Sequence, residues 1–121
     1  MKGEPFHDTL KKLIHEYVLL TYQHTAKYPN NEKYGLTSQD RRAAVSVMLN
    51  YVEGFARMKF GPMTNQFEIS FASLKESIYV RFLAMKLGYI NQEEYKCALI
   101  LKERIGAMLY KTIEGIKKKS N

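Results

Sequence analysis

Three punctuation points, Pro29-Asn30-Asn31, Gly61-Pro62 and Gly88, divide the chain into four long segments, and each repeats its apolar residues at steps of three and four. That period places side chains on one face of an α-helix, whereas a half-buried strand would alternate every second residue. In the first segment Leu10, Leu13, Ile14, Tyr17, Val18, Thr21 and Tyr22 follow it. Thr37 or Ser38 supplies a cap for a second helix, with Asp40 in its first turn, where an acid suits the helix dipole. Thr64 caps a third helix carrying Phe67, Phe71, Leu74, Ile78, Phe82 and Met85, and Gly88 is placed to stop it in a left-handed conformation with Tyr89 folding back. Asn91 and Glu94 have the spacing of a capping box and open a fourth helix through Ala98, Leu101, Ile105, Met108, Leu109, Thr112 and Ile116. The predicted helices span about 6–28, 38–58, 64–87 and 91–117, the last dissolving into a frayed lysine tail. Short connections between such helices favour antiparallel neighbours. The expected fold is therefore all-α, an antiparallel up-down four-helix bundle occupying residues 1–121 as one domain.

Composition narrows the functional classes. Seven glycines and three prolines are too few turn formers for an all-β sandwich. The single cysteine, Cys97, excludes an intramolecular disulfide and any multi-cysteine metal site, and it suits a reducing compartment. The start Met1-Lys2-Gly3-Glu4-Pro5 lacks the apolar core of a signal peptide, and no apolar run reaches membrane-spanning length. The expectation is a soluble cytoplasmic protein with no membrane partner. His7, His15 and His24 lie eight and nine residues apart, which makes no metal site and reads as surface or helix-end histidine. Cys97 has no histidine close by in sequence and reads as an inert, partly buried thiol. No Gly-rich phosphate loop, Gly-x-Ser-x-Gly or His-Glu-x-x-His is present. No enzymatic activity and no cofactor are expected; Glu53 and Glu76 acting as an acid and base pair form the one enzymatic reading to set against that.

The second predicted helix is unusually apolar around its circumference. Gln39, Arg42, Ser46, Asn50, Glu53 and Arg57 project within about 40° of one direction, while Ala44, Val45, Val47, Met48, Leu49, Val52, Phe55 and Ala56 spread over most of the rest. A helix in an isolated bundle buries little more than one stripe, so Val47, Met48 and, from the third helix, Val80 are expected to need a sister chain. The third helix carries a second apolar face of Ile69, Ala72, Val80 and Leu83 with Glu76 in its middle. These features predict a homo-oligomer, with Glu76 paired to Arg42 or Arg57 in a polar network between helices or subunits. Gln39, Arg42, Ser46, Asn50, Glu53, Arg57 and Glu76 are its candidate members. The plainer alternative is that they satisfy one another and fix packing register.

Nineteen lysines and arginines against twelve acids give a net charge of +7. Three of those charges sit in Lys117-Lys118-Lys119, and the others are spread evenly over both halves. A nucleic-acid partner is therefore expected to be held by charge alone, multiplied by oligomerisation, and Arg41, Arg42, Arg57 and Lys59 are the candidate contacts.

The run Glu32-Lys33-Tyr34-Gly35-Leu36-Thr37-Ser38-Gln39, continuing into Arg41-Arg42-Ala43-Ala44-Val45-Ser46-Val47, Asn50 and Glu53-Gly54-Phe55-Ala56-Arg57, resembles the proteins encoded in intervening sequences of bacterial 23S ribosomal RNA genes. The likeness extends through Ala72-Ser73-Leu74-Lys75-Glu76 and Leu87-Gly88-Tyr89-Ile90, spanning about residues 10–116. It implies an antiparallel four-helix bundle assembling as a homopentameric ring, without known enzymatic activity and with RNA association the usual suggestion. More distantly, the chain is similar to the pentameric accessory protein of diversity-generating retroelements, which implies docking to a reverse transcriptase as a second reading. The family's characteristic positions fall on Gln39, Arg42, Ser46, Asn50, Glu53, Gly54, Arg57 and Glu76. Two departures stand out: Asp40 replaces the usual aliphatic residue, and Met58-Lys59-Phe60-Gly61-Pro62-Met63 is bulkier than the usual turn.

Overall fold

A computed structural model describes residues 3–120, with side chains described from Pro5 to Ser120. Four α-helices run along it, α1 (Gly3–Thr25), α2 (Leu36–Ala56), α3 (Phe60–Lys86) and α4 (Gln92–Ser120), with a short 3-10 turn at Asn30–Glu32 and no strand among the described residues. Each helix packs against its neighbours in sequence and α1 closes on α4, which is up-down topology around one core.

The core stripes keep the helical period. Leu10, Leu13, Ile14 and Tyr17 from α1 meet Ala44, Val47 and Tyr51 from α2, Phe67, Leu74 and Ile78 from α3, and Ala98, Ile105, Leu109 and Ile113 from α4. Burying each large side chain contributes about 1.5–3 kcal/mol. The closest pairing, α2 on α3, is built from small residues. Ser70, Ser73 and Ser77 recur on α3, and the Ser70 hydroxyl donates to the Val47 carbonyl across 2.7 Å. At Gly54 a β-carbon would lie 2.5 Å from the Phe67 ring, so only glycine lets the two helices approach this closely.

Termini follow local chemistry. Gly88 has φ of +83°, and Tyr89 N donates to Ala84 O at 2.9 Å, ending α3 as the sequence anticipates. Asn91 and Glu94 cap α4 reciprocally, Glu94 N donating to Asn91 Oδ1 at 2.8 Å and Asn91 N to Glu94 Oε1 at 2.9 Å. Several boundaries differ from expectation: α1 begins at Gly3 and ends at Thr25, short of the expected residue 28, and α2 ends at Ala56, short of 58. α2 starts at Leu36, before Thr37 and Ser38, because the Glu32 carboxylate accepts the Leu36 N–H at 3.0 Å and serves as cap. α3 starts at Phe60 and not after Thr64, since Pro62 lies in the first turn, where no N–H need be donated. α4 continues through Lys117, Lys118 and Lys119 to Ser120, with Lys117 paired to Glu68 at 3.3 Å, so the lysine run is helical and not frayed.

Both inter-helix loops at one end interlock. Tyr28, Ala84 and Ile90 form a small second core there, the Tyr28 and Tyr89 rings lie 5.6 Å apart, and the Tyr89 hydroxyl donates to Glu32 at 2.9 Å. The opposite end holds the α2–α3 turn, the start of α1 and the last turns of α4.

Packing also corrects the breadth argument for α2. Val47 is fully buried, Val80 nearly so, and Met48 half-buried, all within one chain. The tight contact with α3 covers a flank of α2 that a looser bundle would leave wet. The second apolar face expected of α3 breaks up likewise: Val80 is buried and Leu83 half-buried, while Ile69, Ala72 and Glu76 are exposed. What remains uncovered on α2 is narrower. Val45, Leu49, Val52 and Ala56 recur at steps of four, three and four on the side opposite the core stripe, with Leu49 62% and Val52 51% exposed.

Candidate functional site

The most constrained polar chemistry lies inside the bundle. In α2 the core stripe runs Asp40, Ala44, Val47, Tyr51, Gly54, and in α3 it runs Phe67, Ser70, Leu74, Ser77, Arg81, Ala84, so helical phase carries one acid and one base into the interior. Both side chains are wholly buried. Arg81 Nε donates to Asp40 Oδ2 at 2.7 Å and Nη2 to Oδ1 at 3.2 Å, a bidentate fork. Ser77 and Tyr28 hydroxyls donate to the same carboxylate at 2.7 and 3.2 Å. Arg81 Nη1 donates to His24 Nδ1 at 3.0 Å, and Nη2 also donates to the Thr21 hydroxyl, which in turn donates to Tyr17 O. Tyr17 donates to Ser77 at 2.8 Å and lays its ring 5.3 Å from the guanidinium carbon.

Electrostatics agree with that wiring. Burial and the Arg81 charge push the His24 pKa down to about 4, so the imidazole is neutral and accepts at Nδ1. Burial works against the Arg81 charge, but the Asp40 carboxylate outweighs it and holds the guanidinium protonated. Burial pushes the Tyr17 phenol up to about 12 and raises Tyr28 as well, Asp40 adding to the latter, so both remain donors. No buried side-chain polar atom lacks a partner among the described residues. A saturated, dry cluster of this kind fixes helix register and leaves no group facing a substrate.

The residues singled out from sequence divide into separate places. Arg41 leaves the cluster's edge: its Nε donates to the Thr25 hydroxyl at 2.8 Å and its guanidinium lies over the Tyr22 ring at 4.5 Å. Arg42 is exposed beside it, and the two line a hollow of about 370 Å³ with Tyr22, Val45 and Leu49. Arg57 pairs with Glu53 at 2.9 Å, and Lys59 lies in the α2–α3 turn. Arg42 and Arg57 are about 22 Å apart along α2, so the structure makes two pairs and not one patch. In the expected polar network, Asn50 donates to Ser46 at 2.8 Å and Ser46 meets Ser73 at 2.9 Å, Ser73 being an addition. Gln39, Arg42 and Glu76 make no side-chain hydrogen bond or ion pair among the described residues, and Glu76 is exposed. Glu53 is engaged with Arg57, so the two carboxylates form no acid and base pair within one chain.

Further corrections concern the lone groups. His24 stands in the last turn of α1, at a helix end as expected, but is buried and bonded to Arg81 and not on the surface. Cys97 is exposed and not partly buried. No group of three metal-ligating side chains comes together among the described residues. The cations that structure adds to the Arg41 and Arg42 side are Lys11 and Lys12, which line a hollow of about 450 Å³ with His15, Glu16 and Met48 on the α1–α2 face. Neither they nor Arg81 stood out in sequence; Arg81 was detectable as a base in phase with Leu74, Ser77 and Ile78.

Fold and site together define an up-down helical bundle pinned by a buried ion pair, with cations and an apolar seam on the outer face of α2. A sequence model of the 23S rRNA-intervening sequence proteins matches residues 9–111, and the chain belongs to that family. A solved structure of a protein of unknown function from the S23 ribosomal protein family of Bacteroides thetaiotaomicron is similar in fold, with a TM-score of 0.79 at 20% identity over 86% of this chain and 97% of that one. No curated protein matches. No helix is long and apolar enough to cross a membrane among the described residues.

Proposed function

We propose that the protein is a non-enzymatic homo-oligomer, a pentamer by family likeness, that binds RNA or DNA electrostatically. The observation that carries this reading is the outer face of α2, where a seam of half-buried Val45 and exposed Leu49, Val52 and Ala56 runs beside Arg41 and Arg42. A seam of that period on the side away from the core suits a second helix from a sister chain. Assembly through it repeats the Arg41 and Arg42 pair once per subunit and sums the +7 charge over the ring. Arg41 over Tyr22 offers a stacking platform, and Lys11 and Lys12 extend the phosphate-directed charge along α1.

Titration of labelled RNA at about 50 and about 200 mM salt tests the binding arm: affinity should fall steeply with salt, and Arg42→Ala should weaken it and lower the slope by about one. Absence of binding at the lower salt sinks it. Light scattering during gel filtration tests assembly. A species of 14.1 kDa refutes the seam, whereas Leu49→Asp should convert an oligomer to that mass.

A further inference from the structure

Among the described residues, the end of the bundle away from Asp40 and Arg81 is open. There the start of α1, the end of α2, the start of α3 and the last turns of α4 surround a cavity of about 550 Å³, within the size range of small-molecule sites. Phe6, Phe55, Met63, Phe67 and Ile116 give it an apolar wall. That wall is held in place. The Phe55 and Phe67 rings meet edge to face at 5.5 Å, His7 stands edge-on to Phe55 at 4.7 Å, and His7 Nδ1 shares a 2.7 Å hydrogen bond with the buried Tyr51 hydroxyl.

The remaining side comes from α4, where Lys111, Gly115 and Lys119 follow one another at steps of four and so share a face. A β-carbon at Gly115 would meet nothing within 4 Å, so this glycine serves no close helix approach and instead leaves the cavity unfilled. The two ammonium groups stem from positions about 12 Å apart along the helix. Lys117 has a carboxylate partner in Glu68, but neither Lys111 nor Lys119 is paired among the described residues.

We infer that this cavity binds a small anionic amphiphile, an aliphatic or aromatic body ending in a single acidic group. The body displaces water from the phenylalanine wall, and the acidic group takes a charge-assisted hydrogen bond from Lys111 or Lys119. A cationic ligand would meet two like charges, and a neutral one would forgo that bond. The site lies at the opposite end from Arg41 and Arg42 and does not depend on nucleic-acid binding.

Titrating the full chain with 8-anilinonaphthalene-1-sulfonate, then competing with decanoate, decanol and decylamine, tests the inference. One fluorophore should bind per chain, with decanoate displacing it at about tenfold lower concentration than decanol and decylamine competing least. The doubly exposed variant Lys111→Gln/Lys119→Gln should weaken decanoate by about tenfold and leave decanol unchanged. Gly115→Leu fills the cavity from an uncrowded helix position and should abolish binding with the circular dichroism spectrum retained. Undiminished binding to Gly115→Leu, equal competition by decanoate and decanol, or a Kd weaker than about 1 mM for the wild type overturns the inference.

Discussion

Asp40→Asn is the substitution for which the structure sets the sharpest expectation. The carboxylate is wholly buried and accepts four hydrogen bonds, two from Arg81 and one each from Ser77 and Tyr28. An amide replaces one acceptor oxygen by an N–H₂ group that faces donors, and it leaves the Arg81 charge uncompensated in a dry interior. Breaking a buried pair in this way costs about 3–5 kcal/mol, against a total stability of about 5–15 kcal/mol for a domain. Arg81→Met should cost a similar amount by stranding Asp40 with only Ser77 and Tyr28. The pair Asp40→Asn/Arg81→Met removes both charges, so its loss should fall short of the summed single losses by about 2–3 kcal/mol. It should still be less stable than wild type, since Thr21 and His24 lose partners. Urea unfolding followed by far-ultraviolet circular dichroism at fixed protein concentration measures all four corners of the cycle. An Asp40→Asn midpoint equivalent to a loss below about 1 kcal/mol, or strict additivity in the cycle, would show that the pair is not the buried pin inferred from its geometry.

Two further outcomes follow from the interior. His24 is neutral when folded, with its pKa lowered from 6.5 to about 4, so between those values the unfolded chain takes up a proton that the folded chain refuses and stability falls with pH. The loss attributable to His24 should reach up to about 3 kcal/mol near pH 4 and vanish above pH 7, and a stability-against-pH curve for His24→Asn, whose amide oxygen can still accept from Arg81, should lack that component. Gly54→Ala gains about 1 kcal/mol of helix propensity but forces a β-carbon against Phe67, so a net loss of about 1–2 kcal/mol is expected. A raised unfolding midpoint for Gly54→Ala contradicts the close α2–α3 approach.

Local signals were legible and distant ones were not. Gly88 and the Asn91 and Glu94 pair act within a few residues, so their geometry follows from spacing alone. Pro62 misled because a proline reads as a break, although in the first turn it takes nothing from the hydrogen-bond ladder. Asp40 invited a second local reading, as an acid at a helix N-terminus, but its phase with Ala44, Val47 and Tyr51 puts it in the core. Its real partner lies 41 residues away on another helix. The exposed charges are the least legible, since Arg57 is engaged by Glu53 one turn away whereas Arg42 is not, and a count of cations treats them alike.

The buried and exposed arginines are mechanically linked. Arg81 holds the Thr21 hydroxyl from inside the bundle, and Arg41 holds the Thr25 hydroxyl from its edge, while Thr25 donates back to the Thr21 carbonyl at 2.8 Å. The same turn of α1 is thus gripped by α3 from within and by α2 from without. This double hold sets where Tyr22 stands beneath the Arg41 guanidinium. None of these bonds involves α4, which joins the core through Ala98, Ile105, Leu109 and Ile113. Hydrogen bonds fix direction, so the α1–α2 face is held in a defined register from two sides. In the assembly proposed above, that face would present the stacked Tyr22 and Arg41 in one orientation on every subunit.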